Sequence, residues 1–263
     1  MAKSFFRLLT ELSSRKSISR VTGAFAKSRF SRKLIPWFAR TYGIRIEDAE
    51  KPVAGYRSLN DFFTRKLKPG LRPIDKAADI VVSPVDALIT GMGTITDGHL
   101  VNVKGQDYTV GELLNRSPRV VNYRHGFYYV LYLSPTDYHR IHSPAGGKVL
   151  ETEHIPGKVY PVNDFGLRHM KRVLSRNERL ITYIQHDKGE IAVVKVGAMN
   201  VSSIQYAGPL PETIERGADL AYFEFGSTVV LLMENGTFTG RSDLKLGSKV
   251  KMGQTLGRLH DKA

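Results

Sequence analysis

The sequence predicts an α+β protein: a mainly antiparallel, barrel-sandwich-like β body behind a helical, basic N-terminal region. Three observations carry that prediction. Residues 1–44 hold ten Lys or Arg against a single acid, Glu11, with apolar residues at helical spacing. After residue 75 the chain turns to short runs rich in β-branched and aromatic residues, broken by Gly, Pro and Asn. Helical stretches are few beyond that point.

Taken in order, Phe5, Leu8, Leu9 and Leu12 fall at i, i+3, i+4 and i+7, an apolar stripe flanked by Lys3, Arg7, Arg15 and Lys16. A second apolar cluster, Leu34, Ile35, Trp37 and Phe38, surrounds Pro36. Residues 1–50 thus read as basic amphipathic helices that associate with a membrane, and 51–263 as the β-rich body. The competing reading is helices that pack on the body and leave their charges in water. In the body, helices are predicted over Leu59–Lys66, Val110–Leu114 and near Leu167–Leu174. Strands are predicted over Ile80–Val82, Leu88–Met92, Gly126–Leu133, Lys148–His154, Leu180–His186, Ile191–Val196, Ser227–Met233 and Lys249–Leu256. "SPVDALITG" (83–91) and "SPAGGKVLE" (143–151) echo each other, and "LGSKVKMGQTLG" (246–257) has the glycine punctuation of a hairpin. Such stretches are common in barrel-like sandwiches that resemble lipoyl carrier domains.

With 263 residues and a formal charge of +14, the chain can bury a large core and favours an anionic partner. No zinc-finger spacing or RNA-binding signature accompanies the charge, which argues against nucleic acid. Cysteine is absent, so disulfides, thiolate nucleophiles and cysteine-held metals are excluded. No apolar run approaches the ~20 residues of a membrane span, and residues 1–30 lack the pattern of a secretory signal.

The chemistry concentrates in three places. Asp86 follows Ser83-Pro84 at a turn. "SPTDYHRIHSP" (134–144) sets His139 and His142 three apart, which would place both imidazoles on one face of a helical turn. "FGST" (225–228) puts a hydroxyl directly after Gly226 at the mouth of an apolar strand. One reading makes His139 and His142 metal ligands in a hydrolase on this β scaffold, with a third ligand from His125, His154, His169 or His186. A second makes Asp86, a histidine and Ser227 an acid–base relay. A serine after a pliable glycine can attack the carbonyl that precedes it. In a bland third reading Gly226 makes a bulge and Ser227 merely starts a strand.

Six stretches together decide among these: "YRSLNDFFTRKLKPGLRPID" (56–75), "SPVDA" (83–87), "KGQDYTVGELL" (104–114), "YHRIHSP" (138–144), "RNERL" (176–180) and "FGST" (225–228). Over nearly its whole length the chain resembles the bacterial, pyruvoyl-dependent phosphatidylserine decarboxylase proenzymes. The resemblance implies self-cleavage between Gly226 and Ser227 into a β chain, 1–226, and an α chain, 227–263, which stay associated, with a homodimer of that unit also implied. It makes Asp86, His142 and Ser227 the maturation triad. Ser227 becomes the covalent pyruvoyl group that forms a Schiff base with phosphatidylserine, and His139 transfers the proton in decarboxylation. No metal is implied. The location implied is peripheral, on the cytoplasmic side of the cell membrane, with the region 4–42 and the loop 161–168 as contacts to anionic lipid. Two positions depart from the family pattern: Phe225 replaces the usual Leu, and Ser202 in "VGAMNVSSI" stands where many members have Gly.

Overall fold

The computed structural model describes residues 23–103, 106–162, 170–198, 204–224 and 227–262. The stripe of Phe5, Leu8, Leu9 and Leu12 with its flanking cations lies outside the described residues, as do Ser202, Phe225, Gly226 and 163–168 of the expected lipid-contact loop.

The described part of the N-terminal region, from residue 23, is helical. A 3₁₀ segment, Arg29–Leu34, runs into helix α1, Ile35–Tyr42. Pro36 suits the first turn, where its missing N–H costs nothing, and Gly43 ends the helix in the left-handed conformation (φ 62°). Helix α2, Leu59–Phe63, is capped by Ser58, whose hydroxyl accepts from the Asp61 N–H at 3.2 Å. It stops short of the predicted Lys66: the Thr64 hydroxyl bonds back to the Asn60 carbonyl at 3.0 Å as the helix closes. Ile35, Phe38 and Ala39 pack with Tyr56, Leu59, Phe62 and Phe63 into an apolar cluster of their own. Helix α3, Val110–Leu113, opens on a Thr109–Glu112 capping box. Of the stretch predicted near Leu167–Leu174, residues 167–169 lie outside the described residues, and α4, Val173–Arg176, forms at its end.

The body is β. Its strands are β1 (Ile80–Val82), β2 (Ala87–Thr94), β3 (His99–Val103), β4 (Gln106–Thr109), β5 (Phe127–Leu133) and β6 (Arg140–His142). Then come β7 (Gly147–Ile155), β8 (Arg179–His186), β9 (Gly189–Val196), β10 (Ile204–Tyr206) and β11 (Thr213–Ile214). The last are β12 (Asp219–Phe223), β13 (Ser227–Met233), β14 (Phe238–Gly240), β15 (Lys249–Val250) and β16 (Thr255–Leu259). An eight-stranded antiparallel sheet runs β11-β7-β8-β9-β13-β5-β2-β15. Two three-stranded sheets, β1-β16-β14 and β10-β12-β6, and the β3-β4 hairpin complete the body.

Position in the large sheet follows from composition. "VVLLM" (229–233) of β13 and every residue of β9, Glu190 and Lys195 included, are buried, as residues on both sides of a strand are when both faces of the sheet are covered. Strand β13 accordingly sits between β9 and β5 and pairs along both edges. The single strand predicted over Lys249–Leu256 is instead two, β15 and β16. The chain turns at Lys251–Gln254, where Gly253 takes φ 87° and the Gln254 N–H reaches the Lys251 carbonyl at 3.0 Å.

Candidate active site

Strand register brings the predicted residues to one end of the large sheet. Leu88 on β2, Tyr132 on β5 and Thr228 on β13 form one cross-strand row. Asp86 lies just before β2, and Ser227 begins β13 beside that row, paired with Leu133. Two strand spacings of ~4.8 Å separate the outer strands of the row. Strand β6, which bears His142, is tied to the same corner because the His142 N–H donates to the Pro84 carbonyl at 2.9 Å. Its other edge pairs with β12, and the Phe223 N–H donates to the His139 carbonyl at 3.1 Å. Strand β12 therefore delivers the chain from the histidines toward the 226/227 junction, and β13 carries it into the sheet.

The side chains of this corner are engaged in specific ways. Asp86 accepts from Arg72 Nε at 2.8 and 3.1 Å and from an Nη2 of the same guanidinium, and also from the Met252 N–H at 2.9 Å. The pair is mostly buried, with side-chain exposures of 14% for Arg72 and 10% for Asp86. The carboxylate raises the Arg72 pKa, chiefly through this fork of hydrogen bonds. His142 Nδ1 lies 2.8 Å from the Gly217 carbonyl and its Nε2 lies 3.1 Å from the Tyr138 hydroxyl. The Asp86 carboxylate and the His142 ring are thus each held by other groups, and Asp86 reaches the imidazole through its charge. Burial lowers the His142 pKa, so the ring is neutral near neutral pH and keeps a lone pair that can accept a proton.

The helical turn expected for 134–144 is not formed. Residues 140–142 are strand β6, and an odd spacing along extended chain turns His139 and His142 into different surroundings. His139 stacks on Phe63 of α2, with ring centroids 4.0 Å apart. Its Nδ1 donates to the Asp137 carbonyl at 2.8 Å, and its buried Nε2 meets no partner among the described residues. Complete burial pushes its pKa down to about 3. The one-face pair of ligands on which the metal reading rested is therefore absent, and no cluster of three ligating side chains occurs among the described residues.

Sequence reasoning passed over four residues that build the corner. Phe63 and Arg72 lie in the 56–75 motif and Tyr138 in "YHRIHSP", so their motifs were visible while their parts were not. Gly217 carries no local signal at all.

A second surface lies on the N-terminal region. Phe25, Phe30 and Trp37 are exposed (53, 80 and 63%) beside Arg29, Arg32 and Lys33. No helix among the described residues is long and apolar enough to cross a membrane.

Comparison with known proteins gives a consistent result. The sequence profile described as phosphatidylserine decarboxylase matches residues 59–258. A protein of Halalkalibacterium halodurans is 44% identical over 257 residues, 98% of each chain. One of Geobacillus kaustophilus is 42% identical over 257 residues, 98% of this chain and 97% of its own. One of Anoxybacillus flavithermus is 43% identical over 262 residues, all of this chain and 98% of its own. Each is named phosphatidylserine decarboxylase proenzyme.

Proposed function

The chain belongs to the phosphatidylserine decarboxylase family, and on that premise we propose that it cuts its own backbone between Gly226 and Ser227. The new chain end then serves the conversion of phosphatidylserine to phosphatidylethanolamine and CO2 at a membrane surface. The observation that carries this reading is that β6, which bears His142 and follows His139, is bonded on one side to Pro84 near Asp86 and on the other to β12, the strand that precedes the 226/227 junction.

The cut needs a base, and neutral His142 supplies one. Its Nε2 takes the hydroxyl proton of Ser227, whose Oγ attacks the Gly226 carbonyl carbon. The peptide C–N bond breaks, its nitrogen becomes the amine of Ser227, and an ester joins the two chains. Elimination across Cα–Cβ of residue 227 then breaks the ester C–O bond and frees the Gly226 carboxylate. Hydrolysis of the remaining enamine releases ammonia and leaves a ketone.

That pyruvoyl group supplies an electron sink for the loss of a carboxylate. The corner fits such a group: the buried Nε2 of His139 is an acceptor that meets no partner among the described residues. His139 is neutral, with its proton on Nδ1. The substrate carboxylate arriving beside the ring favours its protonation, and Nε2 then delivers that proton, the one the reaction consumes, to the carbon that has lost CO2. Proton transfer of this kind contributes about 10²–10⁴-fold.

The two chains stay together after the cut because β13 is stitched to β5 and β9 along both edges. Val229, Val230, Leu231, Leu232 and Met233 are fully buried, and at roughly 2 kcal/mol each they contribute on the order of 10 kcal/mol. Docking falls to the exposed Phe30 and Trp37, which enter the interface, and to Arg29, Arg32 and Lys33, which meet anionic headgroups.

Intact mass measurement tests the reading. Wild-type protein should give fragments 1–226 and 227–263, the smaller with a carbonyl-bearing, blocked N-terminus. Ser227→Ala should give one unbroken chain, and a wild type that also remains whole refutes self-processing.

A further inference from the structure

Two residues hold the His142 imidazole from opposite sides. A carbonyl oxygen only accepts, so the 2.8 Å contact to Gly217 places the ring proton on Nδ1. The lone pair is then on Nε2, and the Tyr138 hydroxyl donates to it at 3.1 Å. Both rings are shielded, Tyr138 being 5% and His142 8% exposed. Gly217 is itself fixed. It takes φ 80°, a conformation that disfavours other residues, and a Cβ at this position would lie 2.2 Å from Ile74 Cδ1. Its N–H donates to the Ser143 carbonyl at 2.8 Å, while the Ser143 N–H donates to the Ala218 carbonyl at 2.8 Å. The peptides on either side of the Gly217–Ala218 bond are thereby pinned to the residue that follows His142.

We propose that Gly217 and Tyr138 are positioning residues for self-processing: the Gly217 carbonyl selects the Nδ1–H tautomer of His142, and the Tyr138 hydroxyl aligns its basic Nε2. In an Asp-His-Ser relay an aspartate does this orienting. Here the Asp86 carboxylate is committed to Arg72 and Met252, and a backbone carbonyl takes its place. Nε2 has one lone pair, so the Tyr138 O–H turns off it before Nε2 takes the Ser227 proton, and the Tyr138 oxygen then accepts from the new N–H and keeps the ring aligned. The charged groups that act on this imidazole are Asp219 on β12 and Asp86 before β2, which favour its protonation, and Arg140 on β6, which opposes it. Arg72 lies behind Asp86, and Arg140 is itself forked onto Asp219 at 2.9 and 3.1 Å.

This inference rests on the self-processing reading, and cell-free synthesis of the full chain separates the two. Conversion of precursor to fragments is timed across the mildly acidic to neutral range. Gly217→Ala is made with Ile74→Ala, which clears the side chain that a new methyl would meet, and Ile74→Ala alone is the control. The pair should cut about tenfold or more slowly than the control, since a displaced carbonyl no longer selects the tautomer. Its acid limb should move to lower pH, because the bond from Nδ1–H to that carbonyl favours the protonated ring. Tyr138→Phe, which removes one oxygen and is the variant expected to fold, should cut about tenfold more slowly with a displaced acid limb. A wild-type rate and limb in Tyr138→Phe, or in the Gly217→Ala pair against its control, overturns the part given to that residue. A wild-type chain that never divides overturns the parent reading and this inference with it.

Discussion

His139 makes the fold acid-sensitive in a way that one substitution should remove. The unfolded chain takes up a proton on this imidazole near its ordinary pKa of 6.5, whereas the folded chain does so only near about 3. Above both values neither state binds the proton. As pH falls below 6.5 the unfolded state is favoured, and the stability held at neutral pH is lost at ~1.4 kcal/mol per pH unit. Between pH 7 and pH 5 this one residue should cost about 2 kcal/mol. With a urea m-value of about 2 kcal/mol/M, the midpoint should drop by ~1 M. Ser227→Ala is the right background, because it should remain one chain with a single unfolding transition. In that background, His139→Asn keeps a donor for the Asp137 carbonyl where Nδ1 stands and removes the titrating ring. Urea melts followed by circular dichroism at the two pH values then give the difference. The packing change against Phe63 is the same at both pH values and cancels. His142 and His186, whose pKa values burial also lowers, remain in both proteins and cancel as well. Equal losses of stability in the two proteins would refute the assignment of a buried, neutral His139.

Three further outcomes are expected of the same fold. Arg72→Ala leaves the Asp86 carboxylate buried without its cation and should cost about 3–5 kcal/mol by urea melt in the Ser227→Ala background. Adding Asp86→Asn should recover much of that loss, and no recovery would count against the pairing. Lys195 is fully buried, with its amine bonded to the Thr182 hydroxyl at 2.7 Å and its pKa driven well down by desolvation. Lys195→Met should therefore raise the melting temperature, by roughly 2–4 °C per kcal/mol gained, and a fall would contradict the cost ascribed to the buried amine. Reversing the charge of Arg29, Arg32 and Lys33 should weaken co-sedimentation with anionic vesicles. Turnover of a short-chain soluble substrate should be spared, and equal losses on both would argue against docking.

Much of the fold was legible in the sequence because burial leaves a local trace. The runs that became β5, β8, β9 and β13 are rich in β-branched, aromatic and other apolar residues, and their strands form the middle of the large sheet. Short elements escaped: β6, β10 and β12 are three to five residues long and exist because they pair with each other, which no local pattern encodes. Lys249–Leu256 had strand-like composition throughout. Its division into β15 and β16 was settled by the turn at Gly253, where the Met252 N–H turns toward Asp86.

By itself the sequence determined the family and the apolar strand that receives Ser227, and it singled out Asp86, His139 and His142 as the side chains proposed to react. Residue type sets what chemistry a group can perform, and type is written locally. What each imidazole does was decided only by tertiary structure. Phe63, some 76 residues upstream, stacks on His139 and strips it of water. Gly217, some 75 residues downstream, chooses the tautomer of His142. Hydrogen bonding and desolvation act through space, over a few ångströms, between groups whose separation along the chain leaves no pattern to read.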